Sequence, residues 1–173
     1  MTRRPSTPSI AVSGMLAALV TLATMLFKLP IPTPLGYVHL GDTFILFSAM
    51  LVGPVAAPIS GIGGALADLL SGYALYAPAT LCLKALVGFL AGWRLDLHDQ
   101  HALLRCALNF AVAELAMAAG YLVYSSILYD FATAASAALG DLAQAAASAA
   151  LACVLLPVAR RVAPMIQGGG KPL

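Results

Sequence analysis

The chain has 173 residues, of which 61% are hydrophobic and 9% charged, with a mean hydropathy of +0.93. Soluble domains carry about 25% charged residues, so a water-facing globule is excluded, as is a disordered chain, which would be poor in apolar side chains. Nine Lys and Arg against seven Asp and Glu leave +2, too little basic charge for a nucleic-acid footprint, and the lipid bilayer is the expected surrounding.

A hydrocarbon core about 30 Å thick takes about 20 apolar residues per crossing helix. Punctuation by Pro, Gly and charge predicts six spans, at 10–28, 42–53, 56–72, 79–94, 103–127 and 134–158. The expected fold is an all-α membrane protein. Residues 10–160 form a six-transmembrane-helix bundle between a tail at 1–9 and a tail at 161–173.

The first span carries small residues, Ser13, Gly14, Ala17, Ala18 and Thr21. Arg3 and Arg4 before it resemble the start of a secretory leader. The run is long and lacks a clean A-x-A site, and more apolar segments follow, so it reads as a retained helix. A proline-stiffened loop then leads to Tyr37, His39 and Asp42, with Asp42 expected as the N-cap of the second span. The second and third spans meet across Gly53-Pro54, as a tight hairpin or with one of them partly re-entrant.

Asp68 shares a face of the third span with Gly61, Gly64 and Ser71, and Lys84 shares one of the fourth with Thr80 and Gly88. Tyr73 and Tyr76 lie in the loop between them. Glu114 lines up with Tyr121 in the fifth span, and Asp141, Gln144 and Ser148 follow one another in the sixth. Charges inside a membrane helix cost about 2.5–3.5 kcal/mol each on insertion scales and mark functional sites by default. These polar stripes must therefore face inward. The plainest pairing is Asp68 with Lys84, a structural ion pair between adjacent helices.

With six spans both termini fall on one side, which collects seven of the nine Lys and Arg residues. Cytoplasmic chains are Lys- and Arg-rich, so both termini are expected in the cytoplasm, in a multi-pass cell membrane protein read as bacterial. His98 and His101 sit with Asp96 and Asp99 in a solvated cytoplasmic stretch, without metal-site spacing. Cys82, Cys106 and Cys153 form no CxxC pair and read as small buried residues. No phosphate-binding GxxxxGK[ST], HExxH or GxSxG motif is present. The reading is a non-enzyme with no cofactor and no metal.

Several blocks resemble a known family: Gly36-Tyr-Val-His-Leu-Gly-Asp-Thr43, Leu51-Val-Gly-Pro54, Ala67-Asp-Leu-Leu-Ser-Gly-Tyr73, and Tyr76-Ala-Pro-Ala-Thr-Leu81 with Lys84. They are similar to the substrate-binding S components of energy-coupling factor (ECF) vitamin transporters, in the riboflavin-type branch. The resemblance runs in order across residues 10–160 and is densest at 36–92. It departs at Ser125-Ser126, where relatives often carry an acidic residue, and at Asp141, where Asn is common.

The resemblance implies a subunit that captures a vitamin or vitamin precursor from outside. It would deliver this cargo through a separate transmembrane coupling subunit driven by two ATPase subunits. Tyr37, His39 and Tyr76 would close over the ligand, while Lys84, Glu114, Tyr121, Asp141 and Gln144 would read its polar edge. Ser13, Gly14, Ala17, Ala18 and Thr21 would form the coupling-subunit face. The competing readings are an autonomous secondary carrier or channel, and a non-transporting membrane scaffold.

Overall fold

The structure, a computed structural model, describes residues 10–30 and 37–167; the side chains of residues 28–30, 37 and 38 lie outside that description. Helix α1 (Ile10–Leu26) is followed by a two-stranded antiparallel hairpin, β1 (Lys28–Pro30) and β2 (Tyr37–His39), with Lys28 opposite His39. Then come α2 (Gly41–Val52), a 3-10 turn at Gly53–Val55, α3 (Ala56–Leu70), α4 (Ala77–Gly92), α5 (Ala102–Leu128), α6 (Phe131–Val154) and α7 (Leu156–Ile166).

Three helical runs are long and apolar enough to cross a membrane, Gly41–Leu70, Ala102–Leu128 and Phe131–Val154. Ile10–Leu26 and Ala77–Gly92 are apolar but shorter. The first of the long runs is not straight. Gly53 has φ 62° and ψ −145°, a backbone conformation that glycine tolerates and side chains resist. The chain doubles back there. Lys84 of α4 meets Asp42 at the start of α2, while Gly92, two turns further along α4, touches Gly53 and Pro54. Meanwhile α3 runs antiparallel to α4, with Ala56 against Gly88 and Gly64 against Thr80 and Lys84. Two legs that both follow α4 in opposite senses form a hairpin, and the Gly53-Pro54 turn makes it.

The remaining contacts extend this zigzag. On α1, Thr21 Oγ1 donates to the Gly63 carbonyl of α3 at 2.9 Å, and Thr24 lies against Gly41. Tyr121 of α5 bonds Thr80 of α4, while Asn109 of α5 donates to the Ala91 and Trp93 carbonyls at the other end of α4. That asparagine satisfies carbonyls that the end of a helix otherwise leaves open. Asp130 caps α6 by accepting from the Thr133 N–H at 2.9 Å. Six elements thus alternate in direction, α1 through α6.

The bundle is inverted relative to a soluble one. Lys84, Glu114, Asp42, Thr80, Ser48, Ser60 and Gln144 are buried, while Leu103, Leu104, Leu108, Val112, Leu115 and Ile127 on α5 are all more than half exposed. Such a surface is suited to hydrocarbon and costly in water. The apolar core beneath it is built from Val20, Ile45, Leu46, Val87, Phe110 and Met117.

Two boundaries differ from the sequence expectation by four residues or more; the others lie within three. The sixth span, expected to reach 158, stops at Val154, because Pro157 supplies no N–H to continue the ladder and opens a new helix instead. That helix, α7, carries the fold past the expected limit at 160. Its Leu156, Ala159 and Ala163 are buried, Arg160 Nε donates to the Leu97 carbonyl at 2.7 Å, and Gln167 Nε2 donates to the Leu51 carbonyl at 2.8 Å. The short β-hairpin was not expected either; three-residue strands flanking a proline-rich loop leave no alternating pattern to read.

Candidate functional site

One layer of the bundle, a turn below the β-hairpin, gathers the polar side chains of four helices. Its centre is Lys84 of α4. Lys84 Nζ donates to Asp42 Oδ1 at 2.6 Å, to Asp42 Oδ2 at 2.8 Å and to Met117 Sδ of α5 at 2.8 Å. An ammonium has three protons, so all three are committed. The same cation lies 5.6 Å from the Tyr121 ring centroid, within cation–π range.

The expected ion pair of Lys84 with Asp68 is therefore corrected to Lys84 with Asp42. Asp68 instead accepts from Thr80 Oγ1. Thr80 has one hydroxyl proton and spends it on Asp68, so the 2.8 Å contact between Thr80 Oγ1 and Tyr121 Oη has Tyr121 as donor. Asp42 does not act as the N-cap expected of it. Leu40 holds that position with no side-chain cap bond, and Asp42 is fully buried.

Gln144 of α6 closes the layer. Its Nε2 donates to Asp42 Oδ2, and its Oε1 accepts from the His39 backbone N–H at 2.8 Å. His39 Nδ1 accepts in turn from the Gly41 N–H at 3.1 Å. This bridge ties β2 to α6 across 105 residues of sequence. Gly41 permits the seat, since a Cβ there would lie 1.9 Å from Thr24 Oγ1.

The other predicted ligand residues fall around this layer. Tyr121 is half-buried within it, and Asp141, also half-buried, lies three residues before Gln144 on α6. Tyr76 stands higher, half-buried, with its hydroxyl 3.5 Å from Ser125 Oγ and its ring edge-on to Tyr124 at 5.7 Å. Tyr37 belongs to β2, but its side chain lies outside the described residues.

Glu114 differs from the rest. It is 1% exposed, and neither carboxyl oxygen has a hydrogen-bond partner among the described residues. The Thr43 and Ser148 hydroxyls are buried and unpartnered as well. Thr43 lines an apolar cleft with Phe27, Phe44, Leu151 and Val154. Neither is marked as a ligand residue by the sequence, which shows Ser148 only as a member of the polar stripe of the sixth span. Ser and Thr back-bond within ordinary helices, so neither residue type marks itself in sequence.

The proposed coupling face of α1 divides in two. Thr21 is buried against α3, and the Ala17 carbonyl approaches Gly63. Gly14 and Ala18 are exposed, Ser13 is half-exposed, and a Cβ on Gly14 would meet nothing within 4 Å.

A buried, hydrogen-bonded polar layer inside an apolar exterior is what a membrane-embedded binding protein for a small polar molecule requires. The sequence matches the family described as ECF-type riboflavin transporter, S component, over residues 4–161. It is also 34% identical over 127 residues to an uncharacterized protein in gap 3'region of Pyrococcus woesei, a match covering 73% of this chain and 84% of that protein. The chain belongs to the ECF-type riboflavin transporter S component family and is the substrate-binding subunit of an energy-coupling factor transporter.

Proposed function

We propose that α1 through α6 each cross the cell membrane, with both termini cytoplasmic, and that the polar layer is the capture site for a heteroaromatic vitamin or vitamin precursor arriving from outside. The end of the bundle holding Arg94, Arg105, Arg160 and Arg161 is the cytoplasmic one. The layer then lies toward the outer face, beneath the β-hairpin. Helix α2 is short for a span, at 12 residues, or about 18 Å of helix. Ten of those residues are buried by neighbouring helices, so its length need not match the lipid.

His39 and Tyr76 close the site from above, and Tyr121 offers its ring. Gln144, Asp141 and Glu114 supply polar contacts. Lys84 holds Asp42 in place and reaches a ligand only by releasing one of its bonds. Ser13, Gly14 and Ala18, with the exposed edge of Ala17, form the docking face for the coupling subunit; Thr21 drops out, because α3 covers it. Two ATPase subunits drive delivery.

The observation that carries this reading is Glu114, a carboxyl group held in the bundle interior with no hydrogen-bond partner among the described residues. Burying it costs stability unless something completes it. The test is mass spectrometry of small molecules released from detergent-purified protein, followed by titration, with riboflavin tried first because the family description names it. A vitamin or precursor bound with submicromolar affinity is expected. A ligand-free preparation that binds nothing across a vitamin panel would sink the assignment.

A further inference from the structure

The hydrogen-bonding inventory of the polar layer specifies the chemistry of its ligand. Most of the donors around the ion pair are engaged. Lys84 uses three protons on Asp42 and Met117, Gln144 Nε2 is held by Asp42, Thr80 donates to Asp68, and Tyr121 donates to Thr80. Among the described residues, both oxygens of Glu114 remain without a partner, as do the hydroxyls of Ser148 and Thr43, which can accept or donate.

Glu114 and Ser148 also share one level of the bundle. Glu114 precedes Met117 by three residues on α5, and Ser148 follows Gln144 by four on α6. Met117 and Gln144 both sit at the level of the ion pair, and α5 and α6 are packed antiparallel, so Glu114 and Ser148 both lie one turn below it. Thr43 follows Asp42 on α2 but faces the apolar cleft with Phe27 and Leu151 instead. Glu114 lies within electrostatic reach of Asp42, Lys84 and Asp141. The one cation there, Lys84, is already held by Asp42, so the site is a poor seat for an anion.

We infer that Glu114 is the specificity-determining residue of the site, accepting from an N–H edge or protonated nitrogen of the ligand, and that the site selects a neutral or cationic heteroaromatic over its phosphate ester. This rests on the capture role argued above.

The experiment titrates the intact detergent-solubilised protein with three pairs: riboflavin and its 5'-phosphate, thiamine and its monophosphate, pyridoxine and its 5'-phosphate. The expected result is that at least one parent compound binds at least 100-fold more tightly than its ester. Glu114→Gln should then weaken that parent at least tenfold and narrow the discrimination against the ester at least tenfold. The same variant, free of ligand, should melt no lower than wild type, because an unpaired buried carboxyl has been replaced by a neutral amide of the same shape. That sign separates a ligand-reading role from a structural one. An ester bound within threefold of its parent, or a Glu114→Gln protein that binds the parent as wild type does, would overturn the inference while leaving the capture role standing. A wild-type protein that binds none of the six compounds would count against the capture role itself, and the inference would fall with it.

Discussion

Lys84 and Asp42 are 42 residues apart in sequence and 2.6 Å apart in space, and both are buried, at 3% and 0% exposure. The pair joins α4 to the first turn of α2 and, through Gln144, to α6 and the β-hairpin. Removing one partner leaves a charge in the bundle interior without its counterion, which typically costs about 3–5 kcal/mol. Lys84→Met and Asp42→Asn should each show a loss of that size in detergent unfolding. The double variant should recover much of it, because two neutral side chains leave no orphaned charge. Additive losses would mean that the two residues act independently.

That pair also shows where the sequence stops being readable. Polar residues inside spans mark themselves by position alone, so Lys84, Glu114, Asp141 and Gln144 stand out at once, and the helices lie within a few residues of where punctuation puts them. Partners are a different matter. Asp68 and Lys84 sit on neighbouring antiparallel helices, which makes them the obvious match, but the register sets Asp68 opposite Thr80. Asp42 stands at a helix start, where an aspartate ordinarily caps, and only the tertiary fold shows that it is buried. The Gly53-Pro54 hairpin was legible as a possibility because both residues break helices. The bond from the His39 backbone to Gln144 has no signal in side-chain identity and could not be read.

The chain from Tyr121 through Thr80 to Asp68 predicts an order of effects. Tyr121→Phe removes one donor and leaves the Thr80 to Asp68 bond in place, a loss of about 1 kcal/mol. Thr80→Val removes a donor from Asp68 and an acceptor from Tyr121, two bonds instead of one, and should cost more, about 2 kcal/mol. Melting temperatures of the two variants test the ranking. A Tyr121→Phe protein less stable than Thr80→Val would show that the hydroxyl has a larger role than this chain.

Two glycines predict opposite outcomes for one added methyl group. A Cβ on Gly92 would lie 2.3 Å from the Gly53 carbonyl carbon, backbone against backbone, where nothing can yield cheaply. Gly92→Ala should prise the α2–α3 hairpin from α4 and destabilise the protein by about 1–3 kcal/mol, as overpacking does. Gly14→Ala meets nothing within 4 Å and should be neutral or stabilising by about 0.5–1 kcal/mol, since alanine is the better helix former. Equal melting temperatures for the two variants would contradict the close approach at Gly53.

The open stripe on α1 separates binding from transport. Gly14 and Ala18 are exposed and make no contribution to the interior, whereas Thr21 on the neighbouring face holds α1 to Gly63. Bulky residues on the open stripe should therefore spare the fold and obstruct only a partner that needs close helix approach there. Gly14→Leu combined with Ala18→Leu is expected to leave vitamin binding by the purified subunit within twofold of wild type. ATP-driven uptake in vesicles containing the coupling and ATPase subunits should fall at least tenfold. Thr21→Leu should instead weaken the subunit itself, and binding and uptake would decline together. An autonomous carrier would behave differently on both counts, moving ligand in vesicles without ATPases and ignoring the leucines on α1. Uptake that survives the double leucine variant would remove this stripe from the docking surface.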